Sequence, residues 1–157
     1  MIRNFVMGVS ALALIGLSSA APAQQVRQGT ATDARAMLQK TIAAVKANKA
    51  KALEMIAKGE GGFLDGDIYP WCFNITDGKI HPFPNPNAKT FGADIRTIKD
   101  PAGRNYGKEI FDIAQKPEGQ ITEVQYVFPR PGDGKPSPKV SFVTRISDLG
   151  CGVGYYK

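Results

Sequence analysis

The sequence predicts an α+β domain, a five-stranded antiparallel sheet with a long N-terminal helix on one face. Three observations predict it. An apolar stripe at helical spacing opens the region after residue 30, β-type segments fill the last third, and turn signals separate them at short intervals. The order reads helix, two strands, a loop with a second helix, then three strands.

The first helix starts at Thr30-Ala31-Thr32-Asp33, which has the T-x-x-D form of a capping box. Behind it Ala34, Met37, Leu38, Ile42 and Val45 recur at three and four residues, while Arg35, Lys40 and Lys46 fall off that stripe. Asn48 marks a break. Leu53, Ile56 and Ala57 give a shorter continuation that Gly59 and Gly61-Gly62 end. From Asp67 to Ile75 a strand carries Tyr69, Trp71 and Phe73 on one face and Cys72 on the other, with an irregularity at Pro70. Asp77-Gly78 is a hairpin signal, so Lys79 to Phe83 is expected to return as the second strand. Pro82, Pro84 and Pro86 then open a loop. Tyr106, Ile110, Phe111 and Ala114 make a helical stripe, and strands follow over residues 121–128, 140–146 and 151–156.

Ahead of this domain, Arg3 precedes an uncharged, mainly apolar run of 13 residues from Phe5 to Leu17, and small residues lead to Ala21-Pro22-Ala23. That is the anatomy of a secretory leader cleaved after Ala23, too short for the roughly 20 residues of a spanning helix. The expected organisation is a leader over 1–23, a flexible lead-in over 24–31 and one domain over 32–157. The expected location is periplasmic or secreted, with a mature form that does not span the membrane. The chain has 20 Lys+Arg against 14 Asp+Glu. A basic exported domain suits anionic small molecules through its summed field, and export removes nucleic acid as a partner.

Cys72 and Cys151 are the only cysteines. In an oxidising compartment they permit one disulfide, and a buried pair of free thiols is the other reading. His81 is the sole histidine, and neither close-spaced cysteines nor a nucleophile, phosphate-loop or metalloprotease motif occurs. Asp65 and Asp67 read as a polar turn between glycines. No catalytic residue, metal site or cofactor is therefore expected, and an enzyme is the weaker class. A binding reading finds more material. Tyr69, Trp71 and Phe73 offer aromatic walls, while His81, Tyr126, Arg130 and Lys139 stand at strand ends or beside turns.

The run Asp67-Ile68-Tyr69-Pro70-Trp71-Cys72-Phe73-Asn74-Ile75-Thr76-Asp77-Gly78, followed by His81-Pro82, resembles the first hairpin of single Cache domains of the second type. Asn87 to Asp94 with Phe91-Gly92, and Ile98-Lys99-Asp100-Pro101-Ala102-Gly103, are similar to that family's central loop and turn. Tyr126-Val127-Phe128-Pro129, Pro138 to Val143 and Gly150 to Tyr155 are similar to its last strands. The resemblance covers residues 32 to 157. It implies a PAS-like sensor fold with a small-ligand pocket on the sheet face away from the first helix. Tyr69, Trp71, Phe73, His81, Tyr106, Tyr126, Lys139 and Phe142 are its ligand-binding candidates. Phe142 stands where many members have Tyr, which removes a hydroxyl. The resemblance further implies that the first and last strands are neighbours, which brings Cys72 and Cys151 together. The expected function is exported sensor-type binding of a small organic acid, in chemotaxis or signal transduction, through a separate membrane receptor or kinase because no output domain accompanies the domain. A structural or protein-interaction module without ligand is the alternative, and a small periplasmic enzyme the weaker one.

Overall fold

Helix formation begins where the sequence supplies a cap. The computed structural model describes residues 26–157, so the leader expected over 1–23 lies outside the described residues. Thr30 accepts from the Asp33 backbone N–H while the Asp33 carboxylate accepts from the Thr30 N–H, a complete capping box that opens α1 (Ala31–Ala47). Asn48 sits in an extended conformation, ends α1, and caps α2 (Lys49–Lys58) by accepting from the Lys51 N–H. Gly59 closes α2 in the left-handed region at φ 68°, a conformation that costs glycine little. Ala34, Met37, Leu38 and Val45 are the buried stripe of α1.

Residues 27–29, within the expected lead-in, are hydrogen-bonded to the rest of the fold. The Gly29 N–H donates to the Asp67 carboxylate at 2.7 Å, the Asp67 N–H donates to the Arg27 carbonyl, and the Gln28 side-chain amide donates to the Tyr156 carbonyl. Buried Asp67 thus fixes the approach to α1.

The sheet has four strands, β1 (Pro70–Asn74), β2 (Thr122–Pro129), β3 (Pro136–Ile146) and β4 (Leu149–Tyr156), all antiparallel in the order β1-β4-β3-β2. The expected fifth strand over 79–83 is not formed. Its first residues start a ladder on β1, with the His81 N–H donating to the Cys72 carbonyl and the Asn74 N–H to the Lys79 carbonyl. Only isolated bridges result, Phe73 to Ile80 and Lys79 to Asp94. Pro82 and Pro84 have no N–H with which to continue, and the chain leaves the sheet edge. Conversely β3 begins earlier than expected, with Pro136 and Pro138 beside β2 but ahead of the pairing to β4, which starts at Lys139.

Each face of the sheet has its own core. Cys72, Phe142, Ile146, Leu149, Cys151 and Val153 pack against α1 and α2. Tyr69, Trp71, Phe73, Val124, Tyr126 and Val143 pack against α3 (Tyr106–Ala114) and the segment 80–98, which includes a 3₁₀ turn at Ile95–Thr97. Among the described residues, no helix is long and apolar enough to cross a membrane.

Cys72 and Cys151 are directly opposed in the β1–β4 register and form a disulfide, with Cα atoms 4.1 Å apart. The 79-residue separation makes this a long-loop cross-link, worth about 4 to 5 kcal/mol in the chain-entropy description. The double variant Cys72→Ala/Cys151→Ala is expected to lose stability of about that size in urea denaturation. Thiol titration of the unfolded, unreduced wild-type protein is expected to find no free cysteine.

Candidate functional site

Strand alternation decides which side chains can meet. On β4, Leu149, Cys151 and Val153 join the core beneath α1 and α2, and Gly150, Gly152, Gly154 and Tyr156 therefore face the other way. A Cβ at Gly150 would overlap the Phe73 ring, one at Gly152 the Trp71 indole, and one at Gly154 the Lys139 Cε and the Ser141 hydroxyl. The glycine stripe is a floor on which three large side chains from the flanking strands lie flat. Tyr126, Lys139 and Tyr156 form one cross-strand row at the end of this floor, through the register pairs Tyr126–Lys139 and Lys139–Tyr156.

Above the floor is a cavity lined by Trp71, Tyr126, Phe128 and Lys139 from the sheet, by Tyr106 and Ile110 from α3, and by apolar side chains of the segment 80–98 with Thr90. Its open space is about 30 Å³. One water needs roughly 10–15 Å³ on that scale, so an occupant of a few heavy atoms fits. The Tyr106 and Tyr126 rings stack at 4.2 Å and hold α3 on the sheet. Burial raises the pKa of both phenols. The Tyr126 hydroxyl is within hydrogen-bond distance of the Ser141 hydroxyl, at 2.8 Å. Among the described residues no carboxylate lines the cavity, and Lys139 is its one cationic side chain.

Lys139 is 1% exposed. Its Nζ donates to the Tyr69 hydroxyl at 2.9 Å and to the Tyr156 hydroxyl at 3.4 Å. Tyr69 also accepts from the Asn85 side-chain amide at 2.8 Å, and that amide and the Tyr156 hydroxyl both donate to the Pro129 carbonyl. Burial pushes the Lys139 pKa down to about 7, against a smaller upward pull from Asp67. Burial also raises Tyr69 and Tyr156, with proximity to one another adding to the rise at Tyr69. A second polar group awaits a partner. The Trp71 indole Nε1, like the Arg130 Nε, is buried with no hydrogen-bond partner among the described residues, and such a group calls for an explanation of its own.

Of the residues singled out from sequence, Trp71, Tyr106, Tyr126 and Lys139 line this cavity. Tyr69 lies behind Lys139 as its hydrogen-bond acceptor, and Phe73 packs farther along the same face between Trp71 and Phe111. Phe142 and His81 are elsewhere. Phe142 is on the helix face, with the Arg35 guanidinium 3.9 Å from its ring centre. Three residues from Lys139 on the same strand, it must face the opposite way. His81 is half-buried, and its Nε2 is 2.8 Å from the Asn74 side-chain oxygen. Burial, followed by the Lys49 charge, lowers its pKa and favours the neutral ring. Sequence reasoning missed Tyr156, Asn85 and the glycine floor. The last was visible as Gly-x-Gly-x-Gly in a strand, a pattern that marks close approach of other groups.

A Cache domain family profile matches residues 30–157. No curated protein sequence matches the chain. Among solved structures, a methyl-accepting chemotaxis protein from Vibrio parahaemolyticus RIMD 2210633 aligns at 18% identity with TM-score 0.61, covering 80% of this chain and 86% of that one. A structure described as the basis for carboxylic acid recognition by a Cache chemosensory domain aligns at 25% identity with TM-score 0.57 over 80% and 86% of the two chains. A periplasmic sensor domain of a chemotaxis protein aligns at 24% identity with TM-score 0.57 over 80% and 88%.

Gly152→Ala tests the floor. The added methyl meets the rigid indole of Trp71, so the variant is expected to lose about 1–3 kcal/mol to overpacking. As Trp71 is the only tryptophan, its fluorescence emission is expected to shift with it.

Proposed function

The chain belongs to the Cache domain family, and from that premise we propose that it is an exported sensor-type domain which binds a small monocarboxylate between the sheet, α3 and the segment 80–98. The observation that carries this reading is one apolar cavity lined both by Lys139, a buried cationic side chain, and by Trp71, whose indole N–H is buried without a hydrogen-bond partner. Two donors on an apolar ground suit a group with two acceptor oxygens and one negative charge, and bonds from a charged donor are the strong ones. A second carboxylate would find no second cation on the wall. Tyr106 and Tyr126 flank the apolar part of the ligand, while Tyr69 and Tyr156 hold the lysine. The recognition of a carboxylic acid by a 25%-identical Cache domain supports the same class. Cache domains are sensor domains rather than enzymes, and nothing in this cavity pairs a nucleophile with a base.

Export is part of the proposal. The leader-like residues 1–23, the Cys72–Cys151 bridge and the similarity to a periplasmic sensor domain support it together. Through its bound ligand the domain serves a chemotactic or signalling receptor or kinase.

Tryptophan fluorescence and thermal shift with propionate, succinate, alanine and urea test the ligand class. Propionate is expected to raise the melting temperature by binding only the folded protein, with succinate much weaker. Lys139→Met keeps the apolar stem and removes the charge-assisted bond, so affinity is expected to drop roughly 10- to 150-fold. No response to any carboxylate would favour an interaction module over a ligand-binding domain.

A further inference from the structure

Lys139 is held by two acceptors, and an amine in its two protonation states differs by one N–H. A neutral amine has two N–H donors and a lone pair, whereas an ammonium has three donors. The Tyr69 and Tyr156 hydroxyl oxygens account for two donors; among the described residues no third acceptor reaches the amine, and Lys139 lines the cavity. From this donor count we infer that the site takes up its anionic ligand together with a proton, which the Lys139 amine holds as its third N–H donor when the cavity is filled. The proposal rests on the carboxylate reading above and adds to it how the site is regulated.

The surroundings of the amine favour this. Among the described residues no acid forms an ion pair with Lys139. Asp67, the acid whose charge reaches it, is committed to the Gly29 N–H. The groups facing Lys139 from β2 and from β1 and its approach, Tyr126 and Tyr69, are phenols raised by burial and hence uncharged at neutral pH, as is Tyr156 on β4. The Arg130 guanidinium, just past β2, lies 4.9 Å from the Tyr156 ring centre. From the segment 80–98 the facing group is the neutral amide of Asn85, and from α3 it is the raised phenol of Tyr106. The Tyr69, Tyr156 and Phe128 rings, 4.2, 4.6 and 5.3 Å from Nζ, favour the ammonium and offset part of the burial cost. The result is an amine poised near neutrality, with a pKa of about 7.

The sign follows from linkage. A carboxylate favours the ammonium and raises the lysine pKa on binding, so above about 7 each ligand must bring a proton from solvent. Affinity is then flat below that pH and falls about tenfold per pH unit above it, roughly 100-fold between about pH 7 and 9. The carboxylate itself remains ionised throughout. Burial, followed by the Lys49 charge, lowers the His81 pKa and so moves its titration away from this window.

Calorimetry with propionate on the folded full domain, in phosphate and in Tris, counts the protons. Uptake is expected to approach one per ligand near pH 9 and to vanish near pH 6, with the affinity loss stated above. Lys139→Arg, whose guanidinium stays charged, is expected to bind without either dependence. The Cε carbon resonances of labelled lysines supply a second measurement that needs no variant. One lysine is expected to titrate near 7 in the ligand-free protein and far higher with propionate bound. Propionate binding with no proton uptake and equal affinity at pH 6 and 9, or every lysine titrating in the ordinary range above about 10, overturns the proposal while leaving the carboxylate site standing. No propionate binding at any pH overturns both.

Discussion

The constraint on which the rest of this structure depends is the alternation along β4. One set of its side chains, Leu149, Cys151 and Val153, seals the sheet against α1 and α2 and carries the disulfide. The other set is three alternate glycines, Gly150, Gly152 and Gly154, followed by Tyr156. Glycine in a strand interior weakens the strand, because it packs nothing and loses more chain entropy than other residues. Here the loss is local and the return is spatial. Phe73, Trp71 and Lys139 reach over the bare backbone from β1 and β3, so an interior strand can support a shallow chamber instead of a filled core. The disulfide between β1 and β4 reinforces that pair where the glycines leave it thin.

A chamber of this kind exposes polar groups to an apolar setting, and the hydrogen bonds around Lys139 answer that. An unpaired buried amine or phenol costs on the order of 1–3 kcal/mol. Lys139, Tyr69, Tyr156 and Asn85 satisfy one another, and the donor chain ends on the Pro129 carbonyl at the end of β2. Asn85 belongs to the proline-rich segment that fails to become a strand. Its amide donates to both Tyr69 and Pro129, which ties that segment to the sheet across the cavity. The loss of the fifth strand and the closure of the site are two results of the same prolines.

Much of this was legible in the sequence where one residue type forces one geometry. The capping box at Thr30, the break at Asn48 and the facing of Tyr69, Trp71 and Phe73 opposite Cys72 all follow from local rules, and the structure shows each. The fifth strand that the Asp77-Gly78 turn signal predicts does not form because Pro82 and Pro84 lack the donors to continue the ladder. The site was legible in part. Trp71, Tyr106, Tyr126 and Lys139 converge on the cavity, but Phe142 was grouped with Lys139 although an odd separation on one strand puts two side chains on opposite faces. Tyr156 shares the parity of the glycines and could have been found by the same rule. Asn85 could not, since its position depends on the path of an irregular loop.

Stability and sensitivity pull in different directions at Lys139. A methylene-rich side chain packed over Gly154 and between aromatic rings contributes as an apolar group, and only its terminal nitrogen is out of place. Between about pH 7 and the ordinary lysine range the unfolded chain holds a proton at this position that the folded one has released. By linkage the ligand-free fold therefore gains stability from Lys139 as pH rises through that window and loses it as pH falls. An anion in the cavity reverses the balance by giving the ammonium a partner. The empty domain is thus most comfortable with a neutral lysine and the filled one with a charged lysine. On the proposal that the anion arrives with a proton, occupancy and protonation of this one buried nitrogen, held by two phenols, are linked above about pH 7.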